Sequence, residues 1–247
     1  MPTKALNRFI DRVVSYESDL ELSDVLIRNF LDRQNSQDSI AVAVGVDVTR
    51  YPRLANRVNT RNSRNIVGLH LKRTLYIGFV KELYEDFADY LSTSLARAAL
   101  AGVDPSRFVG EVKLDLHATE IIGAGSWDAV VKLMSEKIFR ALENERSTIT
   151  LIDKIGKRLG LRLEKNIVDA AIPYLDARHI LVHRDGLVDD IYRNKYPDVA
   201  LDGDRIVLNH VVVGTAKQTI RALAEHIDQK LLDQGLVRNR DIAGQRE

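Results

Sequence analysis

The sequence predicts a mainly α-helical protein, a helical bundle carrying one small β-hairpin and a short N-terminal appendage. Three observations carry this expectation. From about residue 66 onward, apolar residues recur every three or four positions over long stretches, the signature of helices with one buried face. Helix starts and stops punctuate those stretches: Asp104 before Pro105, Ser126 and Thr148 as starts, and Gly102, Gly160 and Gly186 as stops. One tight-turn pair, Asp202-Gly203, separates two short runs containing Val199, Leu201, Ile206 and Leu208.

The elements follow in chain order. Residues 19–33 read as a short amphipathic helix through Leu22, Val25, Leu26, Phe30 and Leu31. In residues 39–48, Ile40, Val42, Val44, Val46 and Val48 alternate with small or polar residues, which predicts a strand. The Arg- and Asn-rich stretch 50–65 contains no acid and marks a boundary, giving an N-terminal segment 1–62 and a helical domain 63–247. One long helix spans about 66–100, with Tyr76, Val80, Leu83, Phe87, Leu91, Leu95 and Ala98 as its stripe. Ser126 opens a helix striped by Trp127, Val130, Val131, Met134, Ile138 and Leu142. Thr148 caps another that ends near Gly160, and a further helix covers about 163–184. Pro173 must kink that helix or open its second half. The hairpin falls within 198–213, and a last helix covers about 215–233. The glycine alternation in residues 121–126, IIGAGS, lacks the full phosphate-binding patterns and reads as a loop.

Composition narrows the function. A hydrophobic content of 45% with 29% charged residues supports an ordinary core. The absence of cysteine removes disulfides, thiolate metal sites and cysteine nucleophiles. A net charge of +1 argues against a general nucleic-acid coat, so any RNA must be held by a local patch. No apolar run is long enough to span a bilayer, and MPTKALNRFIDRVV lacks the features of a signal peptide, so a cytoplasmic protein without a membrane partner is expected.

The candidate site lies in residues 174–186, YLDARHILVHRDG. On a helix, Arg178 is flanked by Tyr174, Leu175, Leu181 and Val182, so a permanent charge sits in a stripe expected to be buried. His179 lies beside it, and His183 follows one turn later near the stop at Gly186. A histidine near a helix C-terminus can give or take a proton near neutral pH. A guanidinium offers a fork of donors that fits phosphate. These are the parts needed to cleave a phosphodiester without a metal. The plainer reading pairs Arg178 with a carboxylate across a helix interface and makes both histidines packing residues.

RHILVHRDG resembles the signature of HEPN domains, an Arg, a polar residue, and a His after four to six intervening residues. Arg178, His179 and His183 fit the four-residue spacing, and the resemblance covers about 66–235. Because the chain holds 24 Arg and 6 His, the spacing alone is not specific. Arg64 with His70, Arg205 with His210, and Arg221 with His226 also match; only Arg178 is placed mid-stripe with its His at a helix end. The resemblance implies a metal-independent RNA endonuclease without a cofactor, acting through the 2′-hydroxyl as a homodimer whose two motifs face each other. It implies His183 as the proton-transfer residue, Arg178 on the phosphate, His179 as an orienting group, and Arg184 among the RNA contacts. Members are often toxins or phage-defence effectors, held by an antitoxin or regulatory protein. In one subfamily a Tyr follows the His by two; Asp185 stands there, which argues against that pairing. The other class of function is a non-catalytic module of the same kind that binds a nucleotide, RNA or a protein.

Two further candidates come from spacing alone. His179 and His183 are four apart, as metal ligands often are, but no third ligand is evident and Ile180 stands where a zincin has Glu. Arg50, Arg53, Arg57, Arg61 and Arg64 recur at helical spacing and would form one basic RNA-binding stripe if helical, or a solvated linker if not.

Overall fold

The computed structural model describes residues 1–143 and 147–244. It is mainly helical: α1 Lys4–Leu31, α2 Ile40–Val44, α3 Pro52–Ala55, α4 Arg61–Ala101, α5 Pro105–Val109, α6 Ala118–Gly123, α7 Trp127–Glu143, α8 Thr148–Leu159, α9 Lys165–His183, α10 Asp190–Lys195 and α11 His210–Asp233. The strands β1 Leu201–Asp202 and β2 Arg205–Ile206 pair antiparallel, Leu201 with Ile206, so Gly203 and Asp204 form the turn. The packing divides the chain into two units, Val14–Phe79 and the remainder, Met1–Val13 with Val80–Glu247. The boundary expected at 62/63 falls in the first turn of α4.

In the unit Val14–Phe79, α1 and α4 run antiparallel. Lys72 Nζ donates to Asp24 at 2.5 Å, a bond that raises the Lys72 pKa, and Tyr16 meets Phe79 edge-on. Gly68 permits the close approach: a Cβ there would lie 2.7 Å from Leu31 Cδ2. The strand expected over 39–48 is instead α2. Ser39 Oγ caps it by accepting from Val42 N, and Gly45 ends it in a left-handed conformation. Its sequence neighbours Ile40 and Ala41 are both buried while Val42 is exposed, so the alternation does not mark a sheet face. The helix expected at 19–33 is the second half of the longer α1, buried through Leu20 and Ile27, whereas Leu22, Val25 and Leu26 face outward.

In the second unit, the predicted α4 stripe is buried from Val80 to Ala98, with Leu83, Leu95 and Ala98 fully enclosed. Phe9 packs edge-on against Phe87. On α7, Val130, Val131, Ile138 and Leu142 are buried as expected, but Trp127 is exposed. Ser147 occupies the cap position of α8 in place of Thr148, and IIGAGS is half helix, its first three residues closing α6. Helices α5 and α8 cap each other: Arg158 donates to the carbonyls of Phe108 and Val109, while Arg107 Nε donates to Arg158 O at 3.1 Å. Pro173 lies inside a continuous α9, which packs on α8 and α11.

The start of the chain is bound to α11 by Asp228, which is 1% exposed. Its carboxylate accepts from Thr3 N at 3.0 Å and Thr3 Oγ1 at 2.5 Å, and Tyr90 OH lies 3.4 Å away while donating to Ala224 O. Burial raises the Asp228 pKa, against the opposing effect of Thr3. A carboxyl raised by folding contributes stability below its unfolded pKa and loses it as pH rises through its folded pKa. The stability of Asp228→Asn relative to the native chain should therefore improve as pH rises from about 4 towards neutrality. Urea unfolding at several pH values tests this; a flat or falling difference contradicts it.

Candidate functional site

The end of α9 is held on two sides. Beyond it, Gly186 O accepts from Ile206 N at 3.0 Å and Val188 N donates to Asp204 O at 2.8 Å, so the hairpin fastens the chain just past the helix. Asp185 takes a left-handed conformation, φ 50°, and its carboxylate pairs with Arg205. Helix α10 then folds back along α9. Asp189 caps it, accepting from Tyr192 N at 2.9 Å, and this bond with that of Arg184 holds its pKa below the usual carboxylate range. Tyr192 OH donates to Pro173 O at 2.8 Å, and Tyr196 OH donates to Asp176.

Between these elements and the segment around Ser147 lies a cleft of about 850 Å³. Arg178, His179, Arg184 and Lys195 line it together with Glu143, Asp176 and Asp189, and Tyr84, Tyr192 and Tyr196 supply aromatic surface. Arg178 sits at the margin of the apolar stripe: Leu175 and Leu181 are buried, but Arg178 keeps 29% of its side chain exposed. Its guanidinium lies 5.0 Å from the centre of the Tyr84 ring, and Nη2 is 3.8 Å from Glu85 Oε1. Nε is buried and has no hydrogen-bond partner in the structure. The carboxylate partner anticipated by the plainer reading is thus present as a long ion pair, and one donor of the fork is left over.

His179 and His183 are both exposed, with ring centres 4.9 Å apart. His179 lines the cleft beside Arg178, whereas His183 stands outside its lining with its ring against that of His179. Arg184 is committed to Asp189 at 2.6 Å, and Lys195 to Asp176 at 3.0 Å. The spacing of Arg178 and His183 gave no sign of Tyr84 or Glu85, which are distant in sequence; two acids between two aromatics in LYEDF on the long helix are the trace they leave.

The basic stretch does not form one stripe. Helix α3 stops at Ala55 and α4 starts at Arg61, which interrupts the helical period. Arg50, Arg53, Arg57 and Arg61 are exposed, but Arg64 is 2% exposed and turned inward. It donates to the carbonyls of Leu31, Gln34 and Asn59 and to the side chains of Asn59 and Asn35, so it is a strut of its own unit and is withdrawn as an RNA contact. His226, in one of the other spacing matches, accepts from Glu164 N at 3.1 Å, and burial lowers its pKa.

Among the described residues, no group of three or more His, Asp or Glu is placed to hold a metal, and no helix is long and apolar enough to cross a membrane. No family model matches the chain, and no curated protein or solved structure is significantly similar to it.

Burial raises the pKa values of Tyr84, Tyr192 and Tyr196, and the hydrogen bond to Asp176 adds to the shift at Tyr196. Alkaline titration of phenolate absorbance should show a phase above the ordinary range near pH 10. Tyr196→Phe should reduce that late phase; a single ordinary phase for all tyrosines contradicts the described packing.

Proposed function

We propose that the chain is a metal-independent RNA endonuclease of the HEPN type, cleaving through the 2′-hydroxyl in the cleft at the end of α9. The observation that carries this is the Arg178 guanidinium, which lines an open cleft with a buried Nε left without a partner, beside paired His179 and His183. A guanidinium so placed suits a phosphate oxygen, and a ligand would complete what Glu85 only partly satisfies. Arg178 then stabilises charge on the pentacoordinate phosphorus. His183 moves the proton, with His179 as the ring between it and the cleft. A role as a toxin or defence effector, action as a homodimer, and control by an antitoxin or regulatory protein accord with the resemblance of RHILVHRDG to HEPN motifs.

The second reading, a non-catalytic module binding nucleotide, RNA or protein, is favoured by one specific observation. Arg184 and Lys195 are already paired with Asp189 and Asp176, which lowers the positive charge available in the cleft.

Cleavage of RNA should persist in EDTA and yield 5′ fragments ending in a 2′,3′-cyclic phosphate, while 2′-deoxyribose at the cut should block it. His183→Ala should lower the rate by about 10² to 10⁴. Arg178→Lys should fail as well, because a point charge does not reproduce the fork. Full activity of His183→Ala with loss in His179→Ala would move the proton-transfer role to the cleft-lining ring. Binding that depends on Arg178 without cleavage of any RNA would select the second reading.

Arg50, Arg53, Arg57 and Arg61 remain candidates for binding phosphate. Replacing them with Ser should flatten the dependence of RNA affinity on salt, by about 0.7 to 0.9 in log–log slope for each phosphate no longer neutralised. An unchanged slope assigns the segment a purely structural role.

A further inference from the structure

The unit Val14–Phe79 spans 66 of the 247 residues, yet among the described residues it carries 11 of the 20 exposed large apolar side chains. Three of them form one group on α1: Leu22, Val25 and Leu26, 60%, 55% and 59% exposed. Their spacing of three and four residues places them on one face, opposite the buried Leu20 and Ile27. Single exposed apolar residues are ordinary, but a contiguous helical stripe marks a surface that meets another molecule.

The edge of the stripe indicates which molecule. Glu21 and Arg28 are seven residues apart, two helical turns, and so lie along the same edge. Both are exposed; Glu21 makes no ion pair among the described residues, and Arg28 reaches only Asp24, at 3.5 Å, with most of its side chain in solvent. An identical helix laid antiparallel on this face, about an axis between Asp24 and Val25, sets each Glu21 against the Arg28 of the other copy. It also brings Leu22 close to Leu26 and Val25 beside its own counterpart. A parallel two-fold copy would carry the Glu21–Arg28 edge to the far side of the pair, so neither charge would meet its opposite. The face is therefore complementary to itself, as a two-fold interface requires.

We infer that the chain self-associates as a two-fold dimer through antiparallel pairing of α1 across Leu22, Val25 and Leu26. This names a surface remote in sequence from Arg178 and does not rest on the ribonuclease reading.

Sedimentation velocity of the full chain at micromolar concentration should show a dimer. Val25→Glu should raise its dissociation constant at least about tenfold, since two carboxylates would face each other in an apolar interface. Glu21→Arg and Arg28→Glu should each weaken it by about three- to tenfold through two symmetric charge pairs, and the double variant should restore it. Because the chain contains no cysteine, Val25→Cys introduces a single thiol, which should give a disulfide-linked dimer under mild oxidation. Unchanged far-ultraviolet circular dichroism confirms that each variant is folded. A monomer throughout overturns the inference, and so does a dimer that resists Val25→Glu and does not cross-link through Val25→Cys. RNA cleavage is not read in this experiment: a monomer would count against action as a homodimer but would leave the cleavage chemistry to its own test.

Discussion

Burial of the α4 stripe is the constraint from which the rest of the second unit follows. Leu83, Phe87, Leu91 and Leu95 are enclosed to within 2% of their surface, and each such side chain contributes about 1.5 to 3 kcal/mol. Their spacing fixes the rotation of α4 about its own axis. With Leu83 pointing into the core, Tyr84 and Glu85 are carried around the helix to meet Arg178. The cleft is thus set by a rotation that the core determines, and the guanidinium rests on a ring whose position the stripe dictates.

Electrostatics around the cleft are arranged in pairs rather than as a field. Asp176 receives both Lys195 and Tyr196, Asp189 receives Arg184 while capping α10, and Arg193 pairs with Asp204 in the hairpin turn at 2.5 Å. These exposed or half-exposed pairs are individually weak. Their joint effect is to hold α10 and the hairpin against the end of α9, leaving Arg178 as the cation whose partner is distant. A net charge of +1 fits this economy of charge: recognition of an anion would depend on one placed guanidinium and its neighbours instead of a basic surface.

Arg64 shows the same residue type used in the opposite way. Both arginines were candidates for binding phosphate, yet Arg64 spends its donors on three backbone carbonyls and two amide side chains of its own unit. A guanidinium saturated by neutral acceptors is a structural joint; one that lines a cleft and keeps a spare donor is a candidate for a ligand.

The sequence by itself determined the long α4 and its stripe, α7 to α9 and α11 with their approximate limits, the Asp104 cap and the hairpin, because each rests on local periodicity or turn chemistry. It also placed Arg178, His179 and His183 at the end of one helix. Tertiary structure decided the rest. Residues 40–44 are helical because Ser39 and Gly45 cap them, and the pairing of this segment with residues 57–59 stops at a single bridge between Ser39 and Val58, which outweighs an alternation of valines. Leu22, Val25 and Leu26 read as core but face outward, since which side of an amphipathic helix is covered depends on the partner it finds. Tyr84 and Glu85 lie some ninety positions before Arg178, and only the packing of α4 within the second unit brings them to it. The division of labour between Arg64 and Arg178 was equally hidden, because whether a charge is a strut or a site depends on which acceptors the fold places around it.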